Sequence, residues 1–580
     1  MRPVRRRTCL FGWLGFIPAG SLFPMSSPTV SLRRILTGAL GLVLLATTAP
    51  VKAEPLAPAL ASRIERLFAR WDKGDTPGAI VAISRNGETI YARGFGQANL
   101  DHGIPLSPET LSETGSVAKQ FTAAAVTMLA VRGRLSLDDS LKKHLPEVPD
   151  FCREITLRML LDHTSGLRDI HGLFDLMGRP TYTNPHENAE VLEVVCRQRE
   201  LNFPPGSEYA YSNTGYLLLT FVVERASSRT FADFCRENIF EPRGLHQTAW
   251  RTQFNQVVPG RASAYELQRD GTFRVNLPYS NIHGNGGLLT TVGDLLLWNE
   301  SFENPEGEWA EIVRLMQTPS KLNDGEPIEN GLGLRIGSYR GIPEISHSGA
   351  TAGYSTFLAR FPAQHLSIAV LGNLYGQDAG AYVYRMVDVL LAGQLAPATR
   401  PVPVALKPAE LTAHAGLFRS VQHDMVVRVS ASAGLLNING FDVVPTGPHS
   451  FVAPASSTLY QFDEVQNGRP QRLRFTSNRI TRSYAAVPAA KPDAAQLADY
   501  EGEYYSPELD VVIPVTVQAG ALHVRIRPAP PVKAEPTFAD GFWLGRTWHV
   551  TFKRDAEGRV NGLEATNALG RCRRVKFGRR

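Results

Sequence analysis

A chain of 580 residues exceeds what one hydrophobic core supports, so about two to four domains are expected. The formal net charge is +6, yet residues 1–53 hold Arg2, Arg5, Arg6, Arg7, Arg33, Arg34 and Lys52 with no Asp or Glu, a local charge of +7. The remainder therefore sums to −1, which removes the argument for a basic, nucleic-acid-binding body.

The first segment reads as a leader. Arg33 and Arg34 precede the apolar run "ILTGALGLVLLATTAP", and small residues at Val51 and Ala53 follow, the layout of a secretory signal cleaved near Ala53. Met25 would serve equally as a start, and no other membrane segment is expected. An exported, periplasmic or secreted protein follows. Of the five cysteines, Cys152, Cys196, Cys235 and Cys572 lie beyond the leader, at spacings that match neither a metal site nor a dense disulfide framework.

After the leader, "ASRIERLFARW" has helical spacing, and "GAIVAISRNGETIYARGFGQAN" alternates about Asn86-Gly87, a two-residue hairpin turn. Helical segments over 116–132, 187–198 and 291–303 follow, until strand patterns return in "YSTFLARFPAQHLSIAVLGN" and a helix, "DAGAYVYRMVDVLLAGQL", closes the region. Strands at both ends with helices between imply one antiparallel sheet built from the two ends, flanked by a helical insertion. The class is α+β.

The Pro/Ala-rich stretch "LAPATRPVPVALKPAEL" ends that region, and short β-rich runs replace helical periodicity beyond it. The tail repeats itself. Leu411, Gly416, Phe418, Ser420, Asp424, Val426, Gly434 and Leu436 recur 86 residues later as Leu497, Gly502, Tyr504, Ser506, Asp510, Val512, Gly520 and Leu522. Phe462, Gly468 and Leu473 recur at an offset of 90, as Phe552, Gly558 and Leu563. Two small antiparallel barrels are expected, the second with extra residues between Leu522 and Phe552. The expected domains are 54–398, then a linker at 399–409, then barrels at 410–488 and 489–580.

The chemistry concentrates in four motifs. In "ETGSVAKQFTAA", Ser116 and Lys119 sit three residues apart at the start of a helix, on one face, where a serine nucleophile would have a proton acceptor beside it. "EYAYSNTGY" supplies Tyr211 and Asn213, "HGNGGLLTTVGDLLLW" is a glycine-rich turn into a helix, and "ISHSGATAGYSTF" offers His347 and Gly349 at a strand. Asp162-His163 with Asp169 and His171 lacks a ligand spacing, so no metal is expected.

With Ser-x-x-Lys, Tyr-x-Asn and His-x-Gly in this order, and with "MLLDHTSGL" and "GGLLTTVGDLLLW", the region 58–395 resembles the serine β-lactamase and penicillin-binding-protein superfamily, in its class C β-lactamase-like branch (peptidase family S12). Two C-terminal barrels and His-x-Gly in place of Lys-Thr-Gly resemble the D-aminopeptidase type. The resemblance implies a β-lactamase/transpeptidase-like domain followed by two lipocalin-like barrels, and a cofactor-free acyl-enzyme mechanism. It implies Ser116 as nucleophile, Lys119 or Tyr211 as base, the backbone amides of Ser116 and Ala350 as oxyanion donors, and Asn213 as holder of Lys119 and of a substrate amide oxygen. His347 replaces a lysine and is largely neutral at pH 7, so strong selection of a substrate carboxylate is not expected. The substrate would be a small peptide, amide or ester. A carboxylesterase, a weak β-lactamase or DD-peptidase, and a penicillin-binding sensor are the competing readings; an oligomer is compatible with all. In the D-aminopeptidase type a loop of the final barrel helps select a free amino terminus, which here would fall to Glu535 and Asp540 in "RPAPPVKAEPTFADG".

Overall fold

A computed structural model describes residues 54–580 apart from 399–401, 421, 423–424, 433, 454–457 and 478–479. The expected leader, the start of the linker and Asp424 of the repeat lie outside the described residues.

Strands β1 (Ala79–Arg85) and β2 (Glu88–Phe95) join β3 (Arg335–Tyr339), β4 (Ile342–Thr351), β5 (Tyr354–Phe361) and β6 (Leu366–Gly372) in one sheet ordered β3-β4-β5-β6-β1-β2. The chain ends meet at β1 and β6, paired antiparallel from Ala79↔Gly372 to Arg85↔Leu366. Asn86 and Gly87 both take positive φ (51° and 78°), the turn whose twist matches a two-residue hairpin.

Both faces of the sheet are covered, which is why β1 and β6 read as continuous apolar runs. Val81 and Ile83 face one core with helices Pro58–Phe68 and Ala379–Leu390, where Phe68 stacks between Phe95 (4.8 Å) and Tyr382 (4.6 Å). Ile80 and Ala82, half a period away, face the other core with helices Lys119–Val131 and Val292–Glu300. Eleven of the thirteen residues of Lys119–Val131 are buried, so this helix shows no polar face and is fixed from all sides. Its Phe121 stacks on Trp298 at 4.2 Å.

Beyond the linker two closed eight-stranded antiparallel barrels follow, spanning Gly416–Val487 and Gly502–Arg579. The matched apolar positions of the repeat, Phe418 and Tyr504, Leu436 and Leu522, Phe462 and Phe552, Leu473 and Leu563, all fill barrel interiors.

The second barrel shares its core with the helical region. Ile170, Leu173, Phe174 and Leu217 pack in one cluster with Tyr504, Phe542, Val550 and Cys572. Polar ties surround that contact: buried Arg168 pairs with buried Glu508, and Arg573 with Glu208 at 3.0 Å. The four cysteines of the described residues are free thiols.

Candidate active site

Ser116 lies in a single 3-10 turn, Gly115–Ala118, that runs directly into helix Lys119–Val131. The three-residue spacing therefore places Lys119 one turn behind the serine, with Nζ 3.2 Å from Ser116 Oγ. Lys119 is fully buried; its Nζ also reaches Asn213 Oδ1 and the Asn285 carbonyl, each at 2.8 Å. Burial pushes the ammonium well below the ordinary lysine range, Asp169 opposes this, and Arg571 adds to it.

The three partners of Lys119 differ in kind. Asn213 Oδ1 and the Asn285 carbonyl only accept, so they take two N–H groups. The serine hydroxyl is the one partner able to donate. In the neutral amine favoured by burial, the nitrogen lone pair is left for the hydroxyl proton.

Tyr211 is in hydrogen-bond contact with Ser116, and Lys119 Nζ stands 4.9 Å from its ring centroid. Burial raises the phenol, which the Ser116 contact and Arg571 only partly offset. Burial thus favours the phenol and the neutral amine as the paired forms.

Asn213 opens helix Asn213–Ser227, and its side chain is oriented from behind. Its backbone N–H and its Nδ2 both donate to Asp169 Oδ2, at 2.7 and 2.9 Å. Buried Asp169 thereby fixes which end of the Asn213 amide faces Lys119. Asn285, in the glycine-rich turn, adds a contact to Asn213 Oδ1 at 3.3 Å.

Strand β4 crosses the Ser116 turn at two glycines. A Cβ on Gly349 would lie 1.9 Å from the Thr114 carbonyl oxygen and 3.0 Å from the Ser116 nitrogen; one on Gly115, at φ +53°, would lie 2.6 Å from the Ala350 nitrogen. Only side-chain-free backbone permits this approach. It brings the Ser116 and Ala350 amides together, the pair of donors an oxyanion requires.

His347 lies on β4 with its ring centroid 6.5 Å from that of Tyr211, and its Nδ1–H donates to the Ser348 carbonyl at 2.6 Å. Burial and the nearby Lys119 lower its pKa to about 4, so it is uncharged at neutral pH. A cavity of about 310 Å³ adjoins this strand, lined by Tyr209, Tyr211, His347, Asn330, Arg335 and Phe357 among others.

Ser116, Lys119, Tyr211, Asn213, His347, Gly349 and Ala350 thus come together. Glu535 and Asp540 do not join them, which corrects the expectation for the barrel loop. Asp540 accepts from Tyr500 (2.8 Å) and Arg554 (3.0 Å), and Glu535 sits 3.6 Å from Arg428. Their charges are engaged within and between the barrels. The stretch of the second barrel that reaches the site is instead the turn of its last hairpin. There the Arg571 carbonyl accepts from Asp169 N (2.9 Å), and its guanidinium stands 4.7 Å from the Tyr211 centroid.

Sequence reasoning missed three residues: Asp169 as an orienting carboxylate, Asn285, and Arg571. Asp162, His163, Asp169 and His171 each have a protein partner: Thr164 on Asp162 (2.7 Å), Ser212 N on His163 (3.2 Å), Asn213 on Asp169, and Thr181 on His171 (2.7 Å). The turn that carries Arg571 is longer than its counterpart in the first barrel. Leu473 pairs with Tyr484 eleven residues on, whereas its counterpart Leu563 pairs with Phe577 fourteen residues on, marking an insertion in the last hairpin.

Known proteins give the same frame. The chain is 28% identical over 324 residues to Protein flp of Staphylococcus aureus strain MW2, an overlap of 55% of this chain and 63% of that protein, less than two thirds of its length. The octameric penicillin-binding protein homologue from Pyrococcus abyssi superposes with a TM-score of 0.53 at 22% identity, over 73% of this chain and 99% of that one. A structure of SurE gives 0.51 at 23% identity, over 74% and 99%. At these identities the two structures speak for the fold alone. The family model described as beta-lactamase matches residues 64–391, more than half of the chain and every residue of the cluster around Ser116 except the barrel's Arg571: the chain belongs to the beta-lactamase family.

Proposed function

We propose that this protein is an exported serine hydrolase that cleaves small amides, peptides or esters through an acyl-enzyme on Ser116. The observation that carries the reading is the contact set of Lys119: a buried amine, 3.2 Å from Ser116 Oγ, with its other two partners both acceptors. A serine hydroxyl attacks a carbonyl only if its proton leaves as the bond forms. Lys119 takes that proton. The carbonyl carbon becomes tetrahedral, and its oxyanion sits between the amides of Ser116 and Ala350. Collapse breaks the scissile bond, with the leaving nitrogen or oxygen protonated by the Tyr211 phenol, which Lys119 then recharges. Water repeats the sequence on the acyl-enzyme, releasing the acid and restoring Ser116.

Within this class a D-aminopeptidase-like activity remains the reading carried over from the two barrels and His-x-Gly. Turnover of D-alanyl anilide, a short-chain phenyl ester and a chromogenic cephalosporin, measured side by side, ranks amidase, esterase and β-lactamase. Fluorophosphonate should label Ser116, identified by peptide mass spectrometry. Labelling of another serine overturns the assignment, and penicillin acylation without turnover of any of the three substrates would favour the sensor reading. Export rests on the leader, and the intact mass of secreted protein, expected to begin near Glu54, tests it.

A further inference from the structure

The turn of the last hairpin, between strands Val560–Asn567 and Val575–Arg579, is fastened at nearly every polar group. Asn567 Oδ1 accepts from the N–H of Arg571 (2.8 Å) and of Cys572 (3.2 Å). The Arg571 carbonyl takes Asp169 N and Asn202 Nδ2 (2.8 Å), and Cys572 Sγ donates to the Asp169 carbonyl at 3.0 Å. The neighbouring guanidinium of Arg573 is buried and paired with Glu208. Arg571 differs from it. Among the described residues no carboxylate pairs with its guanidinium and no acceptor takes its N–H groups, and the residue is part-exposed. What the guanidinium does touch is the face of Tyr211, the ring beside the nucleophile.

That contact has a definite chemical result. A cation held over an aromatic ring uses none of its N–H groups on a hydrogen-bond acceptor, so the guanidinium keeps them for one. A planar fork of donors matches a carboxylate better than any neutral group. The backbone anchor to Asp169, which also holds Asn213, fixes where the fork stands. Strand β4 supplies no competing cation, since His347 is uncharged at neutral pH.

We propose that Arg571, contributed by the second barrel, is a specificity-determining residue that binds a carboxylate carried by the substrate. This rests on the serine hydrolase reading and deepens it: the cation absent from His-x-Gly is supplied by a residue more than 200 positions further along the chain.

The test compares kcat/KM for phenyl acetate with that for 3-carboxyphenyl acetate and for the phenyl monoester of glutaric acid, which carry the carboxylate on the leaving group and on the acyl group. One carboxylated ester should exceed the neutral one by ~10- to 100-fold, the range for charge-assisted hydrogen bonds. Arg571→Gln should bring that ratio close to one, and Arg571→Lys should keep part of it. A ratio near one in the wild type, a ratio that survives Arg571→Gln, or an equal loss on neutral and carboxylated esters overturns the proposal; the last would mean that Arg571 acts only on Tyr211. Calorimetric titration of the Ser116→Ala protein with glutarate gives a readout independent of turnover and of how well the Arg571 variants fold. Binding that weakens at least tenfold in Ser116→Ala/Arg571→Gln supports the site, and absence of binding to Ser116→Ala overturns it. Glutarate binding with no ester turned over by the wild type would instead sink the hydrolase reading and leave the anion site standing.

Discussion

Replacing Gly349 with alanine tests the crossing of strand β4 and the Ser116 turn directly. The added Cβ would lie 1.9 Å from the Thr114 carbonyl oxygen, 3.1 Å from its carbon and 3.0 Å from the Ser116 nitrogen. Ordinary carbon–oxygen contact is roughly 3.4 Å, so the two backbones must part by about 1.5 Å. Neither is free to swing away. Gly349 is laddered to Thr356 on β5, and Thr114 N is bonded to the Leu288 carbonyl at 2.9 Å, next to the pair Glu113↔Leu289. The opening therefore appears between Ser116 N and Ala350 N, the two proposed oxyanion donors. Loss of one such donor costs about 10²- to 10³-fold in kcat, and overpacking costs about 1–3 kcal/mol of stability. The assay is the single-turnover acylation rate with a chromogenic ester, beside thermal melting of the same protein. Gly393→Ala is the control, because its Cβ would meet nothing within 4 Å and its φ is not positive. Gly349→Ala that acylates at the wild-type rate would refute the reasoning.

Four further outcomes are expected. Lys119→Met and Tyr211→Phe should each slow acylation on the order of a hundredfold or more, the scale for a positioned acid or base, and wild-type rates in either would remove that residue from the mechanism. Because burial lowers the Lys119 ammonium, kcat/KM should rise with pH through an apparent pKa well below the ordinary lysine value of 10.5. A rate still climbing with pH near 10 would contradict the neutral amine. Glu508→Ala leaves buried Arg168, among the described residues, only the half-exposed Glu200, at 3.9 Å, as a carboxylate partner, a loss of up to about 3–5 kcal/mol read by urea denaturation; a change under about 1 kcal/mol would mean the pair does not hold barrel and helices together. His549 is held neutral by burial, its pKa lowered to about 3. The unfolded chain then binds the extra proton between about pH 6.5 and 3, so this group's contribution to stability falls as the pH falls through that window. Stability measured at pH 7 and pH 5 should drop more in the wild type than in His549→Asn, by up to about 1.4 kcal/mol per pH unit below 6.5. Parallel pH dependences would show that the imidazole is not kept neutral.

Much of this protein is written locally. Asn86-Gly87 dictates a hairpin because only such residues tolerate two successive positive φ angles. Ser116 and Lys119 meet because i and i+3 share a helix face, a fact of helix geometry that needs no tertiary information. The two barrels were visible as a repeat because equivalent interior positions must carry equivalent apolar groups. Short-range constraints end there.

What surrounds Lys119 was decided by packing. Asp169 reads in sequence as one more loop carboxylate, and its role exists only because helix Asn213–Ser227 starts beside it and turns two N–H groups onto one oxygen. Asp540 and Arg571 show the same point in opposite directions. Both are charged residues in turns of the second barrel, and nothing in their local sequence separates them. Asp540 is paired with Arg554 and hydrogen-bonded by Tyr500, whereas Arg571 is carried onto Tyr211 by a turn three residues longer than its counterpart, sealed by Asp169 and a shared apolar core. The sequence by itself determined the pairing of Ser116 with Lys119 and the barrel architecture, because those follow from spacing and periodicity. Only the tertiary structure decided which distant charge enters the site, because the partner of a charge is set by the docking of whole surfaces and not by the residues next to it in the chain.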